Sequence, residues 1–328
     1  MPKRCRIATF NLENFGARTH DADFFERRLI RLRDKLQRLD ADILCLQEVN
    51  AGRAKAALRR DFSALDALLS GTPYATFDRV TSVRPGSEAA ADVHNLVILS
   101  RWSVVTSRQI FHEFVPPLNW SPPPVARIEQ VGSIVVRWER PILHARIGFS
   151  AGRSLDVVNV HLRAPRAAFF PGGKAASGWV SSASWAEGLF LAALKRDGQA
   201  LETRLFVETL FEERPNANIF VCGDFNAEQG DMALRIIEVS RDDVEDAAIG
   251  GRELVAIEAR LPSLKRYSVI HGDRRLLPDH ILISKELERY CADVVIDNAG
   301  LDDEVRPAEP ITGSLHATLV AEFLLPGD

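Results

Sequence analysis

The chain reads as an α/β protein built on mixed β-sheets, and three observations point there. Short apolar, β-branched runs alternate with longer segments of helical periodicity. Four of the apolar runs end on a polar side chain, and two later ones begin with one. The apolar fraction is 46% over 328 residues, enough for a large buried core, so the expectation is a single domain spanning 1–328.

Taken in order, the first element is the run Arg6-Ile7-Ala8-Thr9-Phe10, a strand that leads into Asn11. Residues 23–39 then place Phe24, Phe25, Leu29, Leu32, Leu36 and Leu39 at helical spacing, which predicts an amphipathic outer helix. Its Arg27, Arg28, Arg31 and Arg33 read as a solvated face. The run Asp42-Ile43-Leu44-Cys45-Leu46 is a strand ending in Gln47-Glu48, and residues 51–69 repeat the helical pattern with Ala and Leu. From about 75 to 160 the pattern turns to short β-rich runs at 96–99, 133–138, 143–149 and 155–161. They are broken by the turn-rich 82–88 and a proline cluster at 116–124, and together predict an antiparallel meander. A loop rich in Gly, Pro, basic and aromatic residues occupies 162–183, followed by a third helix over about 184–213 and a strand over 218–222. No internal repeat, heptad array or low-complexity tail interrupts this order.

Composition narrows the function. The formal net charge is -4 and the pI about 6.1, so the chain lacks the overall basic field that dominates non-specific binding to nucleic acid, although a local basic groove is compatible with it. No apolar run is long enough to span a bilayer, and residues 1–6 lead straight into the apolar 7–10 without a secretory segment, so a cytoplasmic protein is expected. Cys5, Cys45, Cys222 and Cys291 are far apart, each in or beside a strand-like segment, which predicts buried free thiols and argues against a zinc site.

The polar strand ends carry the chemistry. They are Asn11, Glu48, Asn159-Val160-His161, Gly223-Asp224-Phe225-Asn226, Asp279-His280 and Ser314-Leu315-His316. If the first four strands point one way and the last two the other, as a mixed sheet permits, all these groups gather at one rim. Residues two apart share a strand face, which couples Asn159 with His161, Asp224 with Asn226, and Ser314 with His316. Carboxylates converging beside histidines and amides suit a hard cation with oxygen ligands and a phosphoryl group. Neither a serine nucleophile elbow nor a P-loop competes for this role. His94 and His280 read as structural or surface groups.

At these positions the sequence resembles the endonuclease/exonuclease/phosphatase superfamily, over residues 6–323. The matched pieces are Thr9-Phe10-Asn11-Leu12, Asp42 through Glu48, Asn95 through Arg101, Asn159-Val160-His161-Leu162, Gly223-Asp224-Phe225-Asn226, Asp279-His280-Ile281 and Ser314-Leu315-His316. The resemblance implies a four-layered α/β/β/α sandwich, two packed mixed sheets flanked by helices. It also implies a hydrolase of phosphate esters that uses Mg2+ (or Mn2+). By position, Glu48 resembles the main metal ligand and Asn11 its neighbour. Asp224 resembles the residue that orients or deprotonates the attacking water, and Asn226 one that hydrogen-bonds the phosphate. His316 resembles the histidine that contacts the scissile phosphate, with Asp279 fixing its tautomer. His161 matches the second histidine of the deoxyribonuclease, sphingomyelinase and inositol-phosphatase branches. The family usually has Ser-Asp-His where this chain has Ser314-Leu315-His316, so one metal-holding carboxylate is missing; retained activity is still the expectation, since magnesium sites commonly use one or two carboxylates.

In the 162–183 loop, Arg163, Arg166, Lys174 and Trp179 are expected to line the substrate path, guanidinium groups gripping phosphates and the ring stacking on bases. Three readings stay open: a phosphodiesterase with nucleic acid among its candidate substrates; a phosphomonoesterase or lipid-headgroup phosphodiesterase; and a catalytically weakened binding module, because of Leu315. No obligate protein partner is evident.

Overall fold

Side-chain alternation along the strands sorts this chain into layers. The computed structural model describes residues 2–16, 21–52, 60–123, 132–150, 152–176, 178–240, 251–306 and 311–327. The sheet strands are β1 (Lys3–Phe15), β2 (Ile43–Val49), β3 (Asp78–Thr81), β4 (Asn95–Ser100), β5 (Val104–Ile110), β6 (Ile142–Ser150), β7 (Arg153–His161), β8 (Asn218–Asp224), β9 (Leu254–Ala256), β10 (Asp279–Ser284), β11 (Cys291–Asp297) and β12 (Thr318–Leu325). They form two six-stranded sheets, in the orders β11-β12-β1-β2-β4-β3 and β9-β10-β8-β7-β6-β5. The helices are α1 (Ala22–Leu39), α2 (Ser63–Leu69), α3 (Ser182–Glu213) and α4 (Met232–Glu238).

Ile7, Ile43, Cys45 and Ile98 of the first sheet meet Leu143, Val157, Phe220 and Ile281 of the second in a shared core. The alternate residues face outward. Ala8, Phe10, Leu44 and Leu46 pack under Leu29, Leu32 and Leu36 of α1 and Leu65 and Leu68 of α2. Val158, Val160, Ile219 and Val221 pack under Phe206 and Leu210 of α3 and Leu234 of α4. The four-layered α/β/β/α sandwich therefore follows from strands that are apolar on both faces.

Strand directions place the rim. β1 runs parallel to β2 and β7 parallel to β8, while β12 is antiparallel to β1 and β10 antiparallel to β8. Four strands thus end, and two begin, at one edge of the sandwich. Asp21 opens α1 by accepting the Phe24 N–H at 3.0 Å, and Ser181 and Ser184 form a reciprocal capping box at the start of α3.

Several expectations change. In 51–69 the described residues hold the helix Ser63–Leu69, and Gly52 pairs as an isolated bridge with Asp61; residues 53–59 lie outside the described ones. The meander is divided: β3 and β4 join the first sheet, β5 to β7 the second, and Ile134–Val136 pairs with Leu118–Trp120 in a separate hairpin. Its first strand, Leu118–Trp120, fits between the prolines: Pro116 and Pro117 precede it, and Pro122 and Pro123 follow it. Arg27 and Arg31 are exposed, but Arg28 and Arg33 turn inward: Arg28 donates to the Leu12 and Glu13 carbonyls, and Arg33 to those of Ala67 and Leu68. Arg28 thus satisfies carbonyls near the end of β1, and Arg33 those of the last turn of α2. Cys5, Cys45 and Cys222 are buried, Cys291 is half-buried, and all four are free. The 162–183 loop contains a short hairpin, Lys174–Ala175 with Gly178–Trp179, and lies over the first half of α3 on a small core of Ala168, Phe170, Leu191 and Val136. Among the described residues no helix is long and apolar enough to cross a membrane.

Candidate active site

The two sheets are stitched together just beneath the rim. Asn159 of β7 donates to the Leu46 and Val97 carbonyls at 3.0 and 2.9 Å and accepts from Gln47 at 2.7 Å; Gln47 also donates to the Thr9 hydroxyl. These carbonyls are free because the β2–β4 register shifts after Leu46. The same irregularity turns the next residues out: Glu48 has φ 57°, in the left-handed region. Asn226 has φ 49°, and a Cβ at Gly223 would meet the Val160 carbonyl at 1.9 Å, so only glycine lets β8 approach β7 this closely.

Above this floor the six polar strand ends meet. The Asn11 amide nitrogen lies 2.9 Å from Asp224 Oδ2 and 3.4 Å from Glu48 Oε1, and its oxygen accepts the Glu13 N–H at 2.8 Å. Asp224 Oδ1 accepts the Asn226 N–H at 2.9 Å. His161 Nε2 stands 3.3 Å from Asp224 and 3.7 Å from Glu48. His316 Nδ1 lies 2.8 Å from Asp279 Oδ2, which also accepts the Ser268 hydroxyl at 2.6 Å. The segment carrying His316 is docked on β1: the Ser314 hydroxyl donates to the Asn11 carbonyl at 2.7 Å. Leu315 is buried, and its N–H donates to Glu13 Oε2 at 2.7 Å.

Burial makes the charges of this cluster interdependent. Asp224 is raised to about 7, first by burial and then by the nearby Asp279 carboxylate. Burial alone would lower His316, but Asp279, its hydrogen bond, Asp224 and Glu48 together raise it to about 10. His161 is held well below its ordinary value by burial and by Arg140, so its imidazole is neutral.

Asp224, Asp279 and His316 offer ligand atoms all within 4.8 Å of one another, and Asp279 Oδ1 is buried without a hydrogen-bond partner among the described residues. The Glu48 carboxylate adjoins this group, bridged to Asp224 by the Asn11 amide nitrogen, while the Asn11 oxygen takes the Glu13 N–H. Such a donor set fits a hard divalent cation, which would offset the crowded negative charge.

Residues outside the strand-end motifs complete the pocket. Arg140, buried just before β6, places Nη1 2.6 Å from His161 Nε2 and 2.8 Å from Nδ1. Burial lowers its pKa while Asp224 and Glu48 hold it up. Its signal in the sequence was a lone Arg before Pro141, too common to single out. His94, expected to be structural or at the surface, stands with its ring 5.9 Å from that of His161 and its Nε2 2.8 Å from Asn14 Oδ1. His280 has the expected structural place, bonded to Glu258 and to the Ala227 carbonyl.

The loop residues divide. Arg163 is half-buried beside Arg140, with its N–H on Gln199, whereas Arg166 is exposed. The Trp179 ring is half-buried, 6.4 Å from that of Phe170, and so close to Gly188 of α3 that a Cβ there would meet it at 2.7 Å. Lys174 sits over the ring at 5.5 Å. Trp179 thus spends ring surface on the loop's own core.

Comparison with known proteins agrees with this architecture. No curated protein matches the chain. Among solved structures, an endonuclease/exonuclease/phosphatase family protein from Bacteroides thetaiotaomicron superposes with a TM-score of 0.59 at 14% identity, covering 99% of this chain and 96% of that one. An AP endonuclease from Archaeoglobus fulgidus gives 0.51 at 16% identity, covering 97% and 99%. A 3' phosphatase from Neisseria, solved with a product DNA hairpin, gives 0.53 at 16% identity, with the same coverage. At such identities these structures share the fold. The model of the Endonuclease/Exonuclease/phosphatase family matches residues 8–314, nearly the whole chain, and with the rim just described it shows that this protein belongs to the endonuclease/exonuclease/phosphatase family.

Proposed function

We propose that this protein is a divalent-metal-dependent phosphodiesterase that hydrolyses its substrate by attack of water on phosphorus, with nucleic acid as the substrate class. One observation carries the reading: side chains from six distant segments, Asn11, Glu48, His161, Asp224, Asp279 and His316, meet in one buried cluster rich in carboxylates. A bound Mg2+ or Mn2+ would neutralise phosphate charge and lower the pKa of a water there. Glu48 and Asn11 would hold that cation. Asp224, fixed through both oxygens, orients the attacking water and takes its proton. Asn226 donates to the phosphate. His316, held by Asp279, places positive charge against the developing charge on the phosphoryl oxygens. His161, locked between Arg140 and Asp224, lies where it can serve the leaving oxygen. Arg163 and Arg166 extend positive charge from the site along the substrate. Four free thiols suit a reducing compartment, the cytoplasm.

Nucleic acid is favoured because two proteins of this fold are an AP endonuclease and a 3' phosphatase with DNA bound. The latter also motivates a second reading, a phosphomonoesterase. Purified protein should be assayed with Mg2+, Mn2+ or EDTA against bis-p-nitrophenyl phosphate, p-nitrophenyl phosphate, and single- and double-stranded DNA and RNA. The diesterase reading expects turnover of diesters that EDTA, Glu48→Gln and Asp224→Asn each abolish. Turnover of p-nitrophenyl phosphate alone would select the monoesterase, and no metal-dependent turnover of any substrate would reject both.

A further inference from the structure

Leu315 puts an apolar, buried side chain beside His316, yet its backbone is not without a carboxylate. Glu13 Oε2 lies 2.7 Å from the Leu315 nitrogen. Glu13 therefore brings a carboxylate to the backbone of a segment, residues 314–316, that carries none of its own.

The chain goes to some length to put it there. Glu13 has φ 52° and Asn14 φ 52°, two successive non-glycine residues in the left-handed region, which costs on the order of 1 kcal/mol each and persists only where surroundings fix it. The surroundings are explicit: the Glu13 N–H is held by Asn11 Oδ1, its carbonyl by Arg28, and the Asn14 N–H by Glu48 Oε2 at 2.9 Å. The side chain is half-buried, with the charges of His316, Arg28 and Glu48 nearby. In the same cluster as His316, buried Asp279 Oδ1 has no hydrogen-bond partner among the described residues.

We propose that Glu13 is a cation-holding carboxylate of this site, reaching from the irregular end of β1 to the backbone of the Ser314-Leu315-His316 segment, which has no carboxylate of its own. The proposal rests on the divalent-cation reading above. It distinguishes this chain from one that depends on a carboxylate at 315, and it makes Leu315 a relocation of charge and not a loss of the site.

The test is direct titration of Mn2+ by electron paramagnetic resonance, with no turnover required. Glu13→Gln keeps an oxygen that can accept the Leu315 N–H and removes only the charge. It should weaken Mn2+ binding about tenfold or more at unchanged Tm. Adding Leu315→Asp to Glu13→Gln should restore most of the affinity. Glu13→Asp, which keeps the charge on a shorter arm, should bind with intermediate affinity and covers the case in which Glu13→Gln does not fold. Wild-type affinity in Glu13→Gln, or in Glu13→Asp if only that variant folds, would reduce Glu13 to an anchor for the 314–316 segment and overturn the proposal alone. If the wild-type protein itself binds no Mn2+, the proposal and the metal-dependent reading both fall.

Discussion

Single residues at the rim each serve two masters, the floor of the sandwich and the pocket above it. Asn159 shows the first role. It is fully buried, and it satisfies two carbonyls of the opposite sheet and one Gln47 N–H. Asn159→Leu would strand those groups, at about 1–3 kcal/mol each before relaxation, so a lowered urea midpoint is expected, equivalent to several kcal/mol. Asp279 shows the second role. Asp279→Asn keeps the shape and removes the charge that raises His316, so kcat should fall on the order of 10²–10⁴-fold while the far-UV spectrum stays unchanged. Unchanged kcat would remove His316 from the chemistry.

Elements act at the rim through how closely they approach. β7 and β8 deliver His161 and Asp224 at paired positions, Asp224 opposite His161, and Gly223 is the contact that allows it. Gly223→Ala should cost at least the upper end of the ~1–3 kcal/mol usual for overpacking, because the clash is with backbone and cannot be relieved by a rotamer. Thermal unfolding would show it, and a Tm within about 2 °C of wild type would contradict the close approach. The 162–183 segment works at the same scale. Arg163→Ala with Arg166→Ala should raise KM for a polynucleotide several-fold and reduce the salt dependence of binding, while bis-p-nitrophenyl phosphate turnover stays near wild type. Equal loss on both substrates would mean that the segment shapes the site and does not track the chain of phosphates.

The molecule as a whole carries a buried histidine outside the candidate site whose titration couples to folding. His144 in β6 is buried against Phe206 and bonded to Asp156 at 3.0 Å. Its pKa is lowered to about 3 by burial and by Arg146 and Arg214 nearby. The unfolded chain, with an ordinary histidine, takes up this proton below about pH 6.5, whereas the folded protein resists until about 3. The stabilisation that comes from keeping this ring neutral is therefore full above about pH 6.5 and is lost progressively as pH falls toward 3. His144→Asn, which can still donate to Asp156, should flatten the fall of Tm across that window. An identical Tm–pH curve in the variant would show that His144 is not the group responsible.

The rim was legible before any coordinates because strand periodicity is local: an apolar run that stops at Asn11, Glu48, His161 or Asp224 marks its own end, and direction reversal at Asp279 and His316 follows from where the polar residue sits. Arg140 and Glu13 were not legible. Each depends on a chain path, the turn before β6 and the left-handed residues of β1, that brings one charge beside partners far away in sequence, and no pattern of spacing encodes such a meeting. Trp179 was expected to line the substrate path and Arg28 to lie on a solvated face, because composition shows charge and aromaticity but not which side of a surface they face. The order of strands and their polar ends belongs to the sequence; which buried charges stand against one another was decided by tertiary packing, because electrostatic energies depend on distances and burial that exist only once the two sheets have closed.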